Sequence, residues 1–266
     1  MRKIIARFLG QNIPYFKGKD KIIRFLFSPD KHLNSGEKFI TTYFEKKYEG
    51  ITSNFIDWGV YIKGGLEKGL VNYIKSQISN FEIFFDIGAN SGTISLPFCH
   101  MKNLKIICFE PLDINYKKLI NNFKINNAYD NNFFHKVALS NKNSETKIYF
   151  SDFHSNTGTA TMENNLDVNH NQFELINQTK LDDIYKYKNK NIFIKIDIQG
   201  HEDKFVDGAL ELLNNNNILM YLETHNEILL NKFKKMNYKI FYPVFLEKKF
   251  HFQSFRNSED VILKNF

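Results

Sequence analysis

Phe81-Glu-Ile-Phe-Phe-Asp86-Ile-Gly88-Ala-Asn90-Ser-Gly92 decides how this chain is read. From Phe81 to Ile87 it is a short apolar run that stops at an acid and a glycine. That is the pattern of a strand buried on both faces. Gly88 and Gly92 let the backbone turn tightly and let a ligand approach its N–H groups. A helix over 92–101 is expected to follow, with its positive dipole end toward the turn.

A strand running into a glycine turn serves nicotinamide, flavin and methyl-donor sites alike, so three details have to narrow it. The spacing is Gly-x-x-x-Gly, not the Gly-x-Gly-x-x-Gly of dinucleotide folds. Asp86 stands before the first glycine, where a carboxylate would repel a pyrophosphate but attract the ammonium of S-adenosylmethionine. Glu110 closes the next strand, Leu104–Phe109, 24 residues after Asp86. A carboxylate there accepts both ribose hydroxyls, each bond worth about 1.5–3 kcal/mol. Taken singly, Asp86 is a helix cap and Glu110 a surface acid. Taken together with Gly88, Ala89, Asn90 and Gly92, they read as a cofactor site. Ala138, in Lys136-Val-Ala-Leu-Ser140 at the end of a third strand, is placed beside the adenine, with plain strand packing as the alternative.

Outward from this core, strands alternate with helices over about 150 residues, which argues for a doubly wound α/β sheet, mostly parallel, with right-handed crossovers. Helical period over 112–126 precedes a strand at Phe133–Leu139, and an added strand falls at Lys147–Phe150. The polar stretch 151–178 reads as a long functional loop. Strands four and five fall at Ile192–Ile198 and Ile218–Glu223, and strand-like runs after 238 suggest a terminal hairpin. Residues 1–70 read as an N-terminal helical appendage, with helices near 2–9, 20–27 and 36–46, and 71–266 as the cofactor-binding domain.

Several of these segments resemble the FkbM-type methyltransferases. They are Asp-Ile-Gly-Ala-Asn-Ser-Gly at 86–92, Phe-Glu-Pro at 109–111, Val-Ala-Leu-Ser at 137–140, Leu-Asp-Asp at 181–183 and Ile-Lys-Ile-Asp-Ile-Gln-Gly-His-Glu at 194–202. The likeness runs in order from about 81 to 225, and its last segment is the most specific. It implies a class I, Rossmann-like, seven-stranded fold, S-adenosylmethionine as donor and, usually, O-methylation of sugar hydroxyls on glycans or natural products. Gln199 departs from the glutamate usual in that family, which puts a metal or base role at this position in doubt.

Methyl transfer from a sulfonium needs alignment more than activation, although a hydroxyl acceptor must also lose its proton. Strand four offers Lys195 and Asp197, two apart and so on one side of the strand. Asp197 is expected to act as base, acceptor-orienting group or metal ligand, with a structural turn role as the alternative, and Lys195 to pair with it or aid deprotonation. His225, after strand five, is a third catalytic candidate, able to act as a base near neutral pH, with a place beside a helix cap as the alternative. Glu202 and Glu223 are expected on the acceptor side, with helix-dipole placement the alternative for Glu202. His201 reads as positional. Asp197, Glu202, Glu223 and His225 could converge on a divalent metal, but nothing in their spacing demands one and none is expected.

Composition bounds the rest. The chain has 266 residues, enough for one large domain or a domain with an appendage. Lys and Arg outnumber Asp and Glu by 36 to 29, and because lysines and acids are interleaved the charge reads as a solvated basic surface rather than a nucleic-acid stripe. An Asn/Asp-Pro-Pro-aromatic turn after strand four, common in enzymes that methylate amino groups of nucleic acids, is missing. Cys99 and Cys108 fit no metal or disulfide pattern and are expected buried in a reducing, cytoplasmic setting. No apolar run approaches the ~20 residues of a membrane span. The basic, apolar start at 1–10 is expected to pack on the domain, with peripheral membrane contact as the alternative. Partners are therefore a small-molecule or glycan acceptor and no nucleic acid, with oligomeric state open. The competing readings are methylation of RNA or protein, a nicotinamide oxidoreductase, and a non-catalytic domain that keeps the fold.

Overall fold

A computed structural model describes residues 1–30, 36–150, 157–163, 172–245, 250–253 and 259–266. Two helices, α1 (Arg2–Asn12) and α2 (Lys19–Leu26), lead into a hairpin, β1 (Lys38–Tyr43) and β2 (Lys46–Ile51). Helices α3 (Phe55–Lys63) and α4 (Lys68–Gln77) follow. The central sheet then begins with β3 (Ile83–Ile87), β4 (Lys105–Phe109), α5 (Asp113–Lys124) and β5 (Phe133–His135). A side sheet is made by β6 (Ala138–Leu139), β7 (Ser144–Phe150) and β8 (Gln172–Thr179). After α6 (Leu181–Ile184) come β9 (Asn191–Ile196), α7 (Glu202–Asp207), α8 (Leu210–Asn215), β10 (Asn217–Glu223) and α9 (Glu227–Lys235). Strands β11 (Lys239–Phe245), β12 (Phe250–Gln253) and β13 (Asp260–Lys264) complete the chain.

Among the described residues the main sheet has eight strands, one more than the seven expected, in the order β12-β11-β13-β10-β9-β3-β4-β5. From β10 to β5 every pairing is parallel, and the three late strands add antiparallel. This is the expected doubly wound α/β sheet, with the terminal hairpin as an extra edge. Side chains alternate across it. Phe84, Ile106 and Phe193 face one core with Val71 and Ile74 of α4, while Phe85, Ile107 and Ile194 face the other with Phe205, Leu213 and Phe233. Chain order runs outward from β3 to β4 and β5 on one side and from β9 to β10 on the other. The switch therefore falls between β3 and β9, and sheets of this kind bind ligands beyond the strand ends at that point.

Four local expectations are corrected. The helix expected over 36–46 is the β1–β2 hairpin, whose turn residues Phe44 and Glu45 both take positive φ, 44° and 66°. The helix expected over 92–101 is a string of turns with one short 3-10 segment, Leu96–Phe98. Pro97 lacks an N–H and breaks the ladder there. The third strand divides, and only β5 joins the main sheet. Lastly, the end of the expected 151–178 loop is β8, antiparallel to β7, while 151–156 and 164–171 lie outside the described residues. No helix among the described residues is long and apolar enough to cross a membrane.

Candidate functional site

The site grows from the ends of β3 and β9. Gly88 (φ +72°) turns the chain so closely past β9 that a Cβ on it would stand 2.0 Å from the carbonyl oxygen of Asp197. Both the backbone angle and the contact forbid a side chain. Gly88→Ala is expected to cost about 2–5 kcal/mol of stability, summing a left-handed backbone and a clash. Urea denaturation measures it, and a loss below about 1 kcal/mol would show that the two loops can separate freely.

The N–H groups of this turn are used within the protein. Gly88 and Ala89 both donate to the Phe109 carbonyl, Asn90 donates to a Glu110 carboxylate oxygen at 2.8 Å, Ser91 to the Asn90 side chain, and Gly92 to the Ala89 carbonyl. The turn is thus not a cradle for phosphate, and with no α-helix behind it there is no dipole end either. Gly92 serves packing, since its absent Cβ would meet Leu119 at 2.8 Å. The expectation that these glycines open N–H groups to a ligand is corrected accordingly.

Carboxylates line the space instead. Glu110 faces the cavity while its two oxygens accept from the Asn90 and Leu112 N–H groups. Burial pushes its carboxyl up to about 7, although these hydrogen bonds, the Asn115 side chain and Lys195 pull the other way. Each carboxylate oxygen carries about two acceptor positions, so Glu110 keeps capacity for a ligand. Asn90, Ala138, Leu139 and Asp197 share the same cavity.

Asp86 lies beneath the floor, fully buried, and does not line the cavity. It is paired in register with Lys195 on the neighbouring strand, whose Nζ is 3.8 Å from Asp86 Oδ1 and 3.8 Å from Asp197 Oδ2 and donates to the Gly88 carbonyl at 2.9 Å. Direct contact of Asp86 with a donor ammonium is therefore corrected: Lys195 occupies that place. Burial opposes the lysine charge, but Asp197, Asp86, Glu67 and Glu223 outweigh it and hold its pKa above the usual value. Lys195 stays protonated and cannot take up a proton.

A second, larger cavity adjoins the first, and Ile56, Glu67, Asp197 and Gln199 line both. Asp197 Oδ1 accepts from the Gln199 side chain at 2.6 Å. Glu67, just before α4, is the acid that sequence reading missed. No hydrogen bond among the described residues engages its carboxylate. Burial pushes it up to about 7; Lys195 lowers it, while Asp197, Asp86 and Asp260 raise it. Further in, Glu223 is pushed up to about 8 by burial and then by Asp197, Asp260 and Glu67. The Tyr221 hydroxyl donates to Asp260 at 2.6 Å. The walls toward solvent come from α2, α3 and the turn between α1 and α2.

Three expected residues stand apart. His225 is 74% exposed at its side chain, pairs with Glu259 and lines neither cavity. Glu202 is buried and accepts the Gly200 N–H at 3.0 Å, closing the turn before α7 outside both cavities. His201, buried between Ser140 and Glu163, ties two loops together, as its positional reading expected. No metal-holding cluster occurs among the described residues. Cys99 and Cys108 are buried free thiols.

The methyltransferase FkbM domain model matches residues 86–257, well over half of the chain, and the chain belongs to that family. Among solved structures it is similar to an FkbM methyltransferase from Methylobacillus flagellatus KT, at 15% identity and TM-score 0.44, covering 99% of this chain and 59% of that one. It is also similar to the B. subtilis M1A22 tRNA methyltransferase TrmK, at 11% identity and TM-score 0.45, covering 75% and 66%. A third is an S-adenosylmethionine-dependent O-methyltransferase from Thermotoga maritima, at 9% identity and TM-score 0.39, covering 73% and 64%. This chain thus spans about three fifths of the length of the FkbM protein it resembles. No curated protein matches it.

Proposed function

We propose that this chain transfers a methyl group from S-adenosylmethionine to a hydroxyl of a small-molecule or glycan acceptor. One observation carries the reading. The first cavity is lined by three carboxylates, Glu67, Glu110 and Asp197, against one lysine, Lys195, and the N–H groups of its glycine turn are used within the protein, so it suits a cationic, ribose-bearing ligand better than a pyrophosphate. The donor set fits: Glu110 has acceptor positions left for ribose hydroxyls, and Ala138 and Leu139 offer an apolar wall to the adenine. Asp86 contributes through Lys195, by fixing its charge.

When bound, S-adenosylmethionine supplies a methyl carbon already activated by its sulfonium. Asp197 and Glu67, at the junction of the cavities, are assigned to the acceptor. Asp197 is held by Gln199 and Lys195 and orients the hydroxyl; Glu67, without such partners, receives its proton as the new C–O bond forms. Glu223 hydrogen-bonds further acceptor hydroxyls. Residues 1–70 supply one wall of the acceptor cavity, which makes that segment part of the enzyme rather than an ornament.

Thermal unfolding with added donor is the test. A ligand at 100 times its Kd adds ~2.7 kcal/mol. S-adenosylmethionine and its demethylated product are expected to raise the Tm, and NAD is not. Glu110→Ala is expected to weaken donor binding tenfold or more, since each lost ribose hydrogen bond is worth about 1.5–3 kcal/mol. Stabilisation by NAD alone would overturn the reading. Labelled methyl transfer onto glycan, lipid, protein and RNA fractions then identifies the acceptor.

A further inference from the structure

The helical pair at the start of the chain carries an exposed face that neither core uses. In α1, Ile4, Ile5 and Phe8 are 73%, 44% and 56% exposed. Their spacing puts them on one stripe of the helix. The opposite stripe, with Ala6 and Gly10, is buried. Gly10 fixes this orientation: a Cβ there would stand 2.2 Å from the Ile62 carbonyl oxygen of α3, so the helix backbone lies directly on α3 and cannot roll its apolar stripe inward. Tyr15, Phe16, Ile22 and Phe25 continue the exposed apolar surface through the turn and along α2. Eighteen large apolar side chains are exposed among the described residues, and eight of them fall in the first 25.

Charge gathers in the same place. Residues 1–27 hold seven Lys and Arg and one acid, Asp20, whereas the other 239 hold 29 and 28. Nearly all of the net charge of +7 therefore sits on this pair. Asp20 is taken by Lys63. Arg2, Lys17 and Lys21 are exposed and have no ion-pair partner among the described residues.

We propose that α1 and α2 form a docking surface for a bilayer bearing anionic headgroups. Basic residues beside an apolar stripe match both layers of such an interface, headgroup charge and acyl boundary. A second copy of this chain would bring like charge against like charge. A nucleic acid would satisfy the cations but leave aliphatic Ile4, Ile5 and Ile22 in water, with no base to stack on them. Gly10, Tyr15, Lys19 and Ile23 of the same pair line the larger cavity. Gly10, Lys19 and Ile23 do so from the buried side, whereas Tyr15 is exposed, so docking sets the Tyr15 rim of that cavity against the lipid; if the cavity is the acceptor site argued above, the acceptor is a hydroxyl-bearing headgroup of a lipid or lipid-linked glycan.

Sedimentation of the whole chain with vesicles tests this. Binding to phosphatidylglycerol–phosphatidylcholine vesicles is expected to be at least ~tenfold tighter than to phosphatidylcholine alone and to weaken with added salt. Ile4→Ser/Phe8→Ser/Phe25→Ser is expected to abolish it without lowering the Tm, because those side chains are exposed. Lys17→Gln/Lys21→Gln is expected to remove the preference for anionic vesicles. Donor binding, measured without vesicles, is expected to be unchanged in both variants, so a failed docking surface and a failed methyl-donor site give separate results. The proposal is overturned if the parent ignores anionic vesicles or the triple variant binds them as well. It is equally overturned if the apolar substitutions dissociate a dimer in ultracentrifugation, or if RNA displaces the vesicles completely.

Discussion

Lys195→Met is expected to destabilise the protein by about 3–5 kcal/mol at neutral pH, the usual cost of removing one partner from a buried ion pair. Its side chain is 4% exposed and that of Asp86 is 0%. No other cation stands close enough to replace it: among the described residues only Lys195 makes an ion pair with Asp86 or Asp197. Without it, Asp86, Asp197 and Glu67 share one end of two strands uncompensated, and a buried carboxylate then takes up a proton rather than remain charged. That sets the pH dependence. Asp86 is already pushed up by burial, with Lys195 opposing, and Glu67 stands at about 7. A carboxyl raised in the folded state binds more protons there than in the unfolded chain, so its contribution to stability is complete below the unfolded pKa and declines as pH rises through the folded one. In the parent, Glu67 and Glu110, each at about 7, and Glu223, at about 8, give this decline between the ordinary carboxyl range and those values. In Lys195→Met the decline is expected to be steeper and extend to higher pH, with the variant closest to the parent in mild acid. Adding Asp86→Asn should recover part of the loss, because the amide needs no counter-charge. Urea denaturation across pH measures all three chains. A single variant within about 0.5 kcal/mol of the parent would mean the lysine charge is solvated by some other route.

The parts of this protein legible in its sequence are those in which one short segment contains its own cause. Phe84, Phe85 and Ile87 announce a strand buried on both faces, and the acid-glycine end of β3 marks where it must stop. Glu110 and Asp197 were singled out because they follow strand ends at a switch point, and both line the first cavity. The turn after Gly92 misled because Ile94, Phe98 and Met101 fall at helical spacing while Pro97 removes a donor from the ladder. The β1–β2 hairpin was hidden for a different reason: its two left-handed turn positions hold Phe44 and Glu45, not the Asn-Gly that such turns prefer. Asp86 was placed in the right strand and given the wrong neighbour, since only strand register brings Lys195 between it and the cavity. Glu67 left no local trace at all. It lies in Gly64-Gly-Leu-Glu-Lys-Gly69, a glycine-rich stretch with no period of its own, and its place in the same cavity as Asp197 exists only once α3 and α4 fold across the sheet.

That same residue carries the largest expected effect on turnover. Glu67→Gln is expected to reduce kcat by about 10²–10⁴, the range for losing a positioned general base, while leaving donor affinity within about twofold. The amide keeps the size and hydrogen-bonding shape of the carboxyl but cannot accept a proton. A base works best when its pKa is near the working pH, and burial beside Asp197 and Asp86 lifts Glu67 to about 7, against the opposing pull of Lys195. The groups facing it set the direction of the profile. Lys195, Asp197, Asp86, Asp260 and Glu223 all act on it, and the buried hydroxyls of Tyr43 and Tyr221 are themselves raised by its charge. Activity in the parent should therefore climb as pH rises through about 7 and then level off, because only the ionised carboxylate can take the acceptor proton. Glu67→Gln should flatten that limb as well as lower it, which a merely structural defect would not do. Asp197→Asn provides the contrast: an orienting group lost should raise KM for the acceptor and lower kcat while keeping the pH limb. If the limb survives in Glu67→Gln and vanishes in Asp197→Asn, the two acids have been assigned the wrong way round, and Asp197 is the base.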